Sequence, residues 1–183
     1  MILPTTAGGF ATILADPPWR FDNRTGKIAP EHRRLYRYRT MATDEIAALP
    51  VADVAATPAH LYLWVPNALL PDGLTVLSAW GFRYVSLLHW LKVTRDGHPD
   101  GRACGFYFRN VTEQLLFGIR GRLRTSCRRT SNLITGRRTE HSTKPNEAYR
   151  VIEDVSPGPR LELFARRPRS GWTVWGDESG RRP

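Results

Sequence analysis

The sequence has very little cysteine and very little lysine. Among its 183 residues are 2 cysteines, Cys104 and Cys127, which form neither a C-x-x-C pair nor a Cys/His cluster at metal-ligand spacing. Two such residues cannot make a disulfide framework, and their spacing does not suggest a structural zinc. The 5 histidines, His32, His60, His89, His98 and His141, are scattered without H-x-H or H-x-x-x-H spacing; no metal is assigned. No apolar run approaches the roughly 20 residues of a membrane span. Met1 to Gly9 carries no basic flank ahead of an apolar stretch of the secretory type. The expectation is a cytosolic protein with no membrane partner. Of 27 basic residues only Lys27, Lys92 and Lys144 are lysine; the other 24 are arginine, the cation suited to recognising phosphate.

What is present is enough apolar material to fold and a charge with a definite location. Hydrophobic residues make up 41% and aromatics 10%, with 6 tryptophans, which supports one compact domain over residues 1–183. The net charge is +10. Residues 20–39 and 120–144 together hold 15 basic and 3 acidic residues, and the remainder is slightly acidic. Two basic segments on a near-neutral body point to a polyanion such as nucleic acid.

Short apolar runs rich in β-branched and aromatic residues predict strands at Phe10 to Ala15, His60 to Val65, Tyr84 to Leu91, Gln114 to Ile119, Arg160 to Ala165 and Trp172 to Trp175. Between them, Ala148, Val151, Ile152 and Val155 repeat at helical spacing within Pro145 to Val155, and Ser156-Pro157-Gly158 stops that helix. Thr43 with Asp44 and Glu45 reads as a capped helix start running to Leu49, and Pro71 to Trp80 as another helix ended by Gly81. Strands alternating with helices predict an α/β fold around a mostly parallel central sheet covered on both faces. Residues 20–39, 94–112 and 120–144 read as long irregular stretches, which are usually functional.

The most informative tetrapeptide is Asp16-Pro17-Pro18-Trp19, directly after the first strand. In parallel α/β sheets ligands sit at the carboxyl ends of strands. The tetrapeptide suits one chemistry: alkylation of an exocyclic amine on a nucleobase, whose lone pair is delocalised into the ring. Asp16 and the Pro17 carbonyl can each accept one N–H and favour a pyramidal nitrogen. The prolines, with φ near −65°, hold those acceptors in place in advance. Trp19 offers a stacking face for a flipped base and an apolar wall for a cationic methyl donor.

The tetrapeptide resembles the catalytic motif of the MT-A70 family of adenine N6-methyltransferases. Other stretches follow in family order: Arg39-Thr40-Met41, Asp44-Glu45-Ile46, Leu61-Tyr62-Leu63-Trp64-Val65, Trp80-Gly81-Phe82, Trp90-Leu91-Lys92, Ser142-Thr143-Lys144-Pro145 and Leu161-Glu162-Leu163-Phe164-Ala165-Arg166. The resemblance covers about residues 10–179. It implies a Rossmann-like methyltransferase fold in circularly permuted motif order, with S-adenosylmethionine as cofactor and no G-x-G-x-x-G. Carried over by position, Asp16 contacts the target amine and the cofactor. Lys144 closes over the pocket, and Arg166 with Asp177 and Glu178 holds the cofactor's ribose and adenine. Glu162 lies in the same motif. Tyr38 and Glu113 match positions lining the target-base pocket. Asp177 stands where the family commonly has Asn, and the segment Phe21 to Arg37 is longer and more basic than in the mRNA-modifying members. Arg33, Arg34, Arg37, Arg39, Arg128, Arg129, Arg137 and Arg138 are the arginines expected to hold phosphates.

These observations lead to an S-adenosylmethionine-dependent adenine N6-methyltransferase acting on nucleic acid, DNA in preference to RNA. Two other readings stand beside it: an RNA adenine methyltransferase, and a catalytically silent nucleic-acid-binding partner of the same fold. A homodimer or a partner subunit is compatible with each.

Overall fold

The computed structural model describes residues 2–21, 40–101, 107–138 and 143–176. The candidate residues Arg33, Arg34, Arg37, Tyr38, Arg39, Asp177 and Glu178 lie outside them. The described residues form one seven-stranded sheet with the order β5-β3-β4-β2-β1-β6-β7. The strands are β1 (Phe10–Ala15), β2 (Ala55–Val65), β3 (Arg83–Val93), β4 (Thr112–Arg120), β5 (Leu133–Arg137), β6 (Arg160–Leu163) and β7 (Trp172–Trp175). β4 runs antiparallel to β2 and β3, and the other adjacent pairs are parallel. The expected mostly parallel α/β sheet is present.

Both faces are covered, and period-two alternation within each strand shows how. Ile13, Ala15, Leu61, Leu63, Val65 and Leu116 join one core with the helices α1 (Thr43–Ala47), α2 (Val51–Val54) and α3 (Leu70–Ala79). Leu14, Tyr62, Trp64, Leu115 and Phe117 point the other way, against Ala148, Ile152 and Val155 of α4 (Asn146–Val155). Gly73 lets α3 lie close to the sheet, since a Cβ there would come within 2.8 Å of Val65 and 2.9 Å of Leu116.

Several local expectations change. The helix start is capped from Ala42, whose N–H donates to the Glu45 carboxylate at 2.7 Å, while the Thr43 hydroxyl donates to Asp72 of α3 at 2.7 Å. The helix ends at Ala47, and a second short helix, α2, follows before β2. β6 stops at Leu163 because Phe164 adopts a φ of 63°, a left-handed turn that a bulky residue takes only under outside constraint. That constraint includes Trp175, against whose ring Phe164 packs edge-on at 5.5 Å. The stretch 120–144 is not wholly irregular, since it contains β5.

β1 lies inside the sheet, with β2 on one side and β6 on the other. The chain builds outward from β1 through β2 to β5, then crosses back through α4 to β6. The strand order therefore switches direction at β1, and the crevice beyond its carboxyl end is where an open α/β sheet accepts a ligand.

Candidate active site

β1 ends at that crevice because Pro17 has no N–H to continue the ladder. The Asp16 N–H still reaches Leu163 O of β6 at 3.4 Å. The turn after it is pinned on three sides. Pro17 O accepts the Trp19 N–H at 2.9 Å, Pro18 O accepts the Met41 N–H at 2.8 Å, and the Trp19 indole donates to Trp64 O of β2 at 2.9 Å. Asp16 itself remains open to the crevice, its side chain 27% exposed.

Two roles assigned from sequence are corrected here. Trp19 is only 5% exposed and belongs to the core on the α1–α3 face, so it fixes the turn and presents no free stacking face. The Pro17 carbonyl already accepts one hydrogen bond, which leaves it a single lone pair for a ligand.

The Asp16 carboxylate is held by Lys144, whose Nζ donates to Oδ1 at 2.8 Å and Oδ2 at 2.7 Å. The same ammonium lies 3.5 Å from Glu113 Oε2, and Glu113 Oε1 is 2.7 Å from Lys92 Nζ. Asp16, Lys144, Glu113 and Lys92 thus form a chain of alternating charge across the end of the sheet. Lys144 stands 5.3 Å from the Trp64 ring and Lys92 5.4 Å from the Trp90 ring. The two indoles meet edge-to-face at 6.2 Å, and Trp90 Nε1 donates to Gly136 O at 3.0 Å. Burial pulls the Lys144 ammonium down, but Asp16 and Glu113 more than restore it, leaving its pKa above the ordinary 10.5. Burial pushes the Glu113 carboxyl up, and Lys144 and Lys92 outweigh it, leaving the carboxyl below its ordinary 4.5.

A second cluster flanks Asp16 on β6. Glu162 is 9% exposed, and its Oε1 accepts the Tyr149 hydroxyl at 2.7 Å. The Arg169 guanidinium lies 3.6 Å from the centre of the Tyr149 ring, and Trp172 meets that ring edge-on at 5.8 Å. Burial raises the Glu162 pKa, the negative charge of Asp16 pushes the same way, and the Tyr149 bond and Arg169 oppose it. Arg166 follows on the loop after β6, partly buried.

The basic stretch 120–144 is divided between the two ends of the sheet. Arg120 pairs with Ala59 at the amino end of the central strands, and Leu123 O lies 3.2 Å from His60 Nε2. The Ser126 N–H and hydroxyl donate to Val155 O and Asp154 O at the last turn of α4. His60 pairs with Thr12, four positions before Asp16, which at ~3.3 Å per residue is about 13 Å. Arg128 and Arg129, exposed just after Ser126, start from this far end and do not flank Asp16. Arg137, exposed, and Arg138, partly buried, sit where β5 reaches the carboxyl end, Arg137 opposite Val93.

Comparison with known proteins now bears on the site. The sequence pattern of the MT-A70 family matches residues 10–178. The chain belongs to the MT-A70 family. It is 33% identical over 178 residues to a putative N(6)-adenosine-methyltransferase MT-A70-like protein of Medicago truncatula, an overlap of 93% of this chain and 26% of that one. It is 28% identical over 187 residues to the type II methyltransferase M.MunI of a Mycoplasma species, covering 92% of this chain and 77% of that one. It is 29% identical over 178 residues to the N6-methyladenosine RNA methyltransferase MTA1 of Cryphonectria parasitica, covering 92% and 51%. The chain spans about a quarter of the length of the plant relatives it matches.

Within this MT-A70 fold, Asp16, Lys144, Glu113 and Glu162 come together as a site, and Arg128 and Arg129 do not join them. The sequence reading missed Lys92, Tyr149 and Arg169 as members of it. For Lys92 a signal existed: it is one of three lysines among 27 basic residues, and two of those three meet at Glu113. A compact ammonium fits between carboxylates and over an indole where the wide guanidinium fork does not. Among the described residues no helix is long and apolar enough to cross a membrane.

Proposed function

We propose that this chain is an S-adenosylmethionine-dependent methyltransferase that modifies the N6 amine of adenine in nucleic acid, with DNA as its substrate. The observation that carries the reading is the Asp16 carboxylate, set at the carboxyl end of β1 on a turn pinned through Trp19, Pro18 and Pro17. Adenine's exocyclic amine is a weak nucleophile, because its lone pair is shared with the ring. An acceptor fixed before the substrate arrives localises that pair at no reorganisation cost. Asp16 accepts one N–H of the amine, and the remaining lone pair of Pro17 O accepts the other. As the amine attacks, Asp16 stabilises the positive charge developing on nitrogen.

The residues present fit the cofactor by their chemistry. Asp16 and Glu162 are acceptors suited to an ammonium and to ribose hydroxyls. At the same end of the sheet the buried side-chain oxygens of Asn67 and Gln114 have no hydrogen-bond partner among the described residues. When bound, S-adenosylmethionine supplies a methyl group on a positively charged sulfur. Asp16, Lys144, Glu162 and Arg166 would hold it, joined by Asp177 and Glu178, while Tyr38 and Glu113 line the place of the adenine. Arg137, Arg138 and the arginines of 20–39 bind phosphates.

DNA is favoured by the Mycoplasma type II methyltransferase, whose length this chain largely covers. A second reading, RNA, is favoured by the Cryphonectria relative, which is named as an RNA methyltransferase. A silent partner is disfavoured because Asp16, Lys144 and Arg166 are all present. Expression in a methylation-deficient host, followed by sequencing of modified adenines, separates them. A methylated motif in genomic DNA is the expected result. Unmodified DNA beside modified RNA moves the substrate to RNA. Absence of both, together with no S-adenosylmethionine binding by calorimetry, overturns the enzyme reading.

A further inference from the structure

Lys144 donates to both oxygens of Asp16, at 2.8 and 2.7 Å, taking one lone pair of each and drawing charge off the acceptor that the target amine needs. A neutral amine N–H is a weaker donor than an ammonium, and it meets Asp16 at full acceptor strength only when the ammonium has another anion to move to. Releasing a largely buried ammonium without a partner is strongly unfavourable, whereas passing it from one carboxylate to another is close to an even exchange. Glu113 is placed for that exchange. Its Oε2 lies 3.5 Å from Lys144 Nζ, while its Oε1 is held at 2.7 Å by Lys92. One oxygen is thus anchored and the other available.

We infer that Glu113 is a second seat for Lys144, taken when the target amine binds Asp16, and that Lys92 is the positioning residue that keeps this seat aimed. The inference rests on the methyltransferase reading above. Lys92 belongs to the sequence stretch Trp90-Leu91-Lys92 and has no direct part in the chemistry. It lies on the same side of β3 as Trp90, whose register partner on β4 is Glu113, and its ammonium stands over that indole. Lys144 stands over Trp64, so the two rings form a floor along which its ammonium slides a short way from Asp16 to Glu113. No proton changes hands. The charged groups acting on Glu113 are Lys144 from the segment before α4 and Lys92 from β3, with Asp16 on the far side of Lys144. Taking away Lys92 leaves Glu113 easier to protonate, and a protonated Glu113 cannot receive Lys144.

The test compares the wild type with Lys92→Met and Lys92→Arg. The readouts are tritium transfer from S-adenosylmethionine across pH, cofactor affinity by calorimetry, and titration of the glutamate carboxyl carbons by 13C NMR. In Lys92→Met the Glu113 titration and the acid limb of kcat should both move up by about one pH unit. At neutral pH, where Glu113 stays ionised, kcat should still fall about tenfold because the seat is no longer aimed, with the KM for nucleic acid nearly unchanged. Cofactor affinity should hold. Lys92→Arg should keep the wild-type acid limb whatever its maximal rate. An unmoved Glu113 titration, an unmoved acid limb, or the same pH-independent loss in both variants overturns the inference. If Lys92→Met does not fold, Lys92→Met with Glu113→Gln leaves no lone buried ion; loss of kcat with cofactor binding retained supports the second seat, and full activity overturns it. A wild type that transfers no methyl group would refute the methyltransferase reading by itself, while the NMR titration would still report whether Lys92 governs Glu113.

Discussion

The two ends of the sheet both bury polar side chains, but with different chemistry. At the amino end His60 Nδ1 lies 2.7 Å from Ser156 Oγ, which lies 2.8 Å from the Tyr62 hydroxyl, while His60 Nε2 faces Leu123 O. These groups are neutral: burial lowers the His60 pKa and pushes Tyr62 up to about 12. They tie the α4–β6 connection and the segment after β4 to β2. At the carboxyl end the groups are paired as ammonium and carboxylate, partly open to the crevice, and spaced so that one ammonium faces two carboxylates. A fully bonded neutral network holds a shape; an ionic one with an alternative partner can rearrange around a ligand.

The largest effect that would sharpen this contrast is in Asp16→Ala. Methyl transfer should fall by at least about a hundredfold, with partial cofactor and nucleic-acid binding retained. Undiminished turnover in a tritium assay would remove the distinction between the two ends. His60→Ala is the counterpart. It should lower stability by about 2–4 kcal/mol in urea denaturation, by opening a cavity and leaving Ser156 and the Leu123 carbonyl short of a partner, while the folded protein keeps its activity. Trp19→Phe retains an aromatic ring but loses the indole bond to Trp64 O, so a stability loss of about 1–2 kcal/mol is expected. An unchanged melting temperature would show that the bond to Trp64 O does not hold the turn.

Acid response gives a smaller effect. Glu113 titrates below its ordinary value in the folded chain, so the folded state binds fewer protons there than the unfolded state. The stability it contributes is present above pH 4.5 and is lost as pH falls below it; Glu113→Gln should flatten that acid slope. Glu162 is shifted the other way, so its ionisation opposes folding as pH rises past 4.5, and Glu162→Gln should slightly raise the melting temperature at neutral pH. The smallest effect separates the arginines. Replacing Arg137 and Arg138 by alanine should reduce the salt slope of nucleic-acid binding by about two, and the same change at Arg128 and Arg129 should leave it unaltered.

Much of this was legible in the chain. β1 and β7 match their apolar runs to the residue, and α4 follows its helical repeat. Each of those segments carries its own pattern of burial. β5 was hidden because Leu133 to Arg137 alternates buried and exposed over only five residues, with a glycine and an arginine at its end. Only its pairing with β3 makes it a strand. Gly136 shows the same dependence, since a Cβ there would lie 3.0 Å from Pro145 and 3.2 Å from Trp90 Nε1. That contact spans distant parts of the chain and leaves no local trace.

The sequence by itself determined the type of fold, the family, and the carboxylate at the end of the first strand, because period, proline and motif order are properties of neighbouring residues. Tertiary structure decided which way Trp19 turns, that Lys92 reaches Glu113, and that half of a basic segment lies about 13 Å from the site it adjoins in sequence. Those outcomes depend on which strands become neighbours. Side-chain partners 20 to 130 positions apart are set by the register of the sheet and the crossing of α4, which no local window of residues specifies.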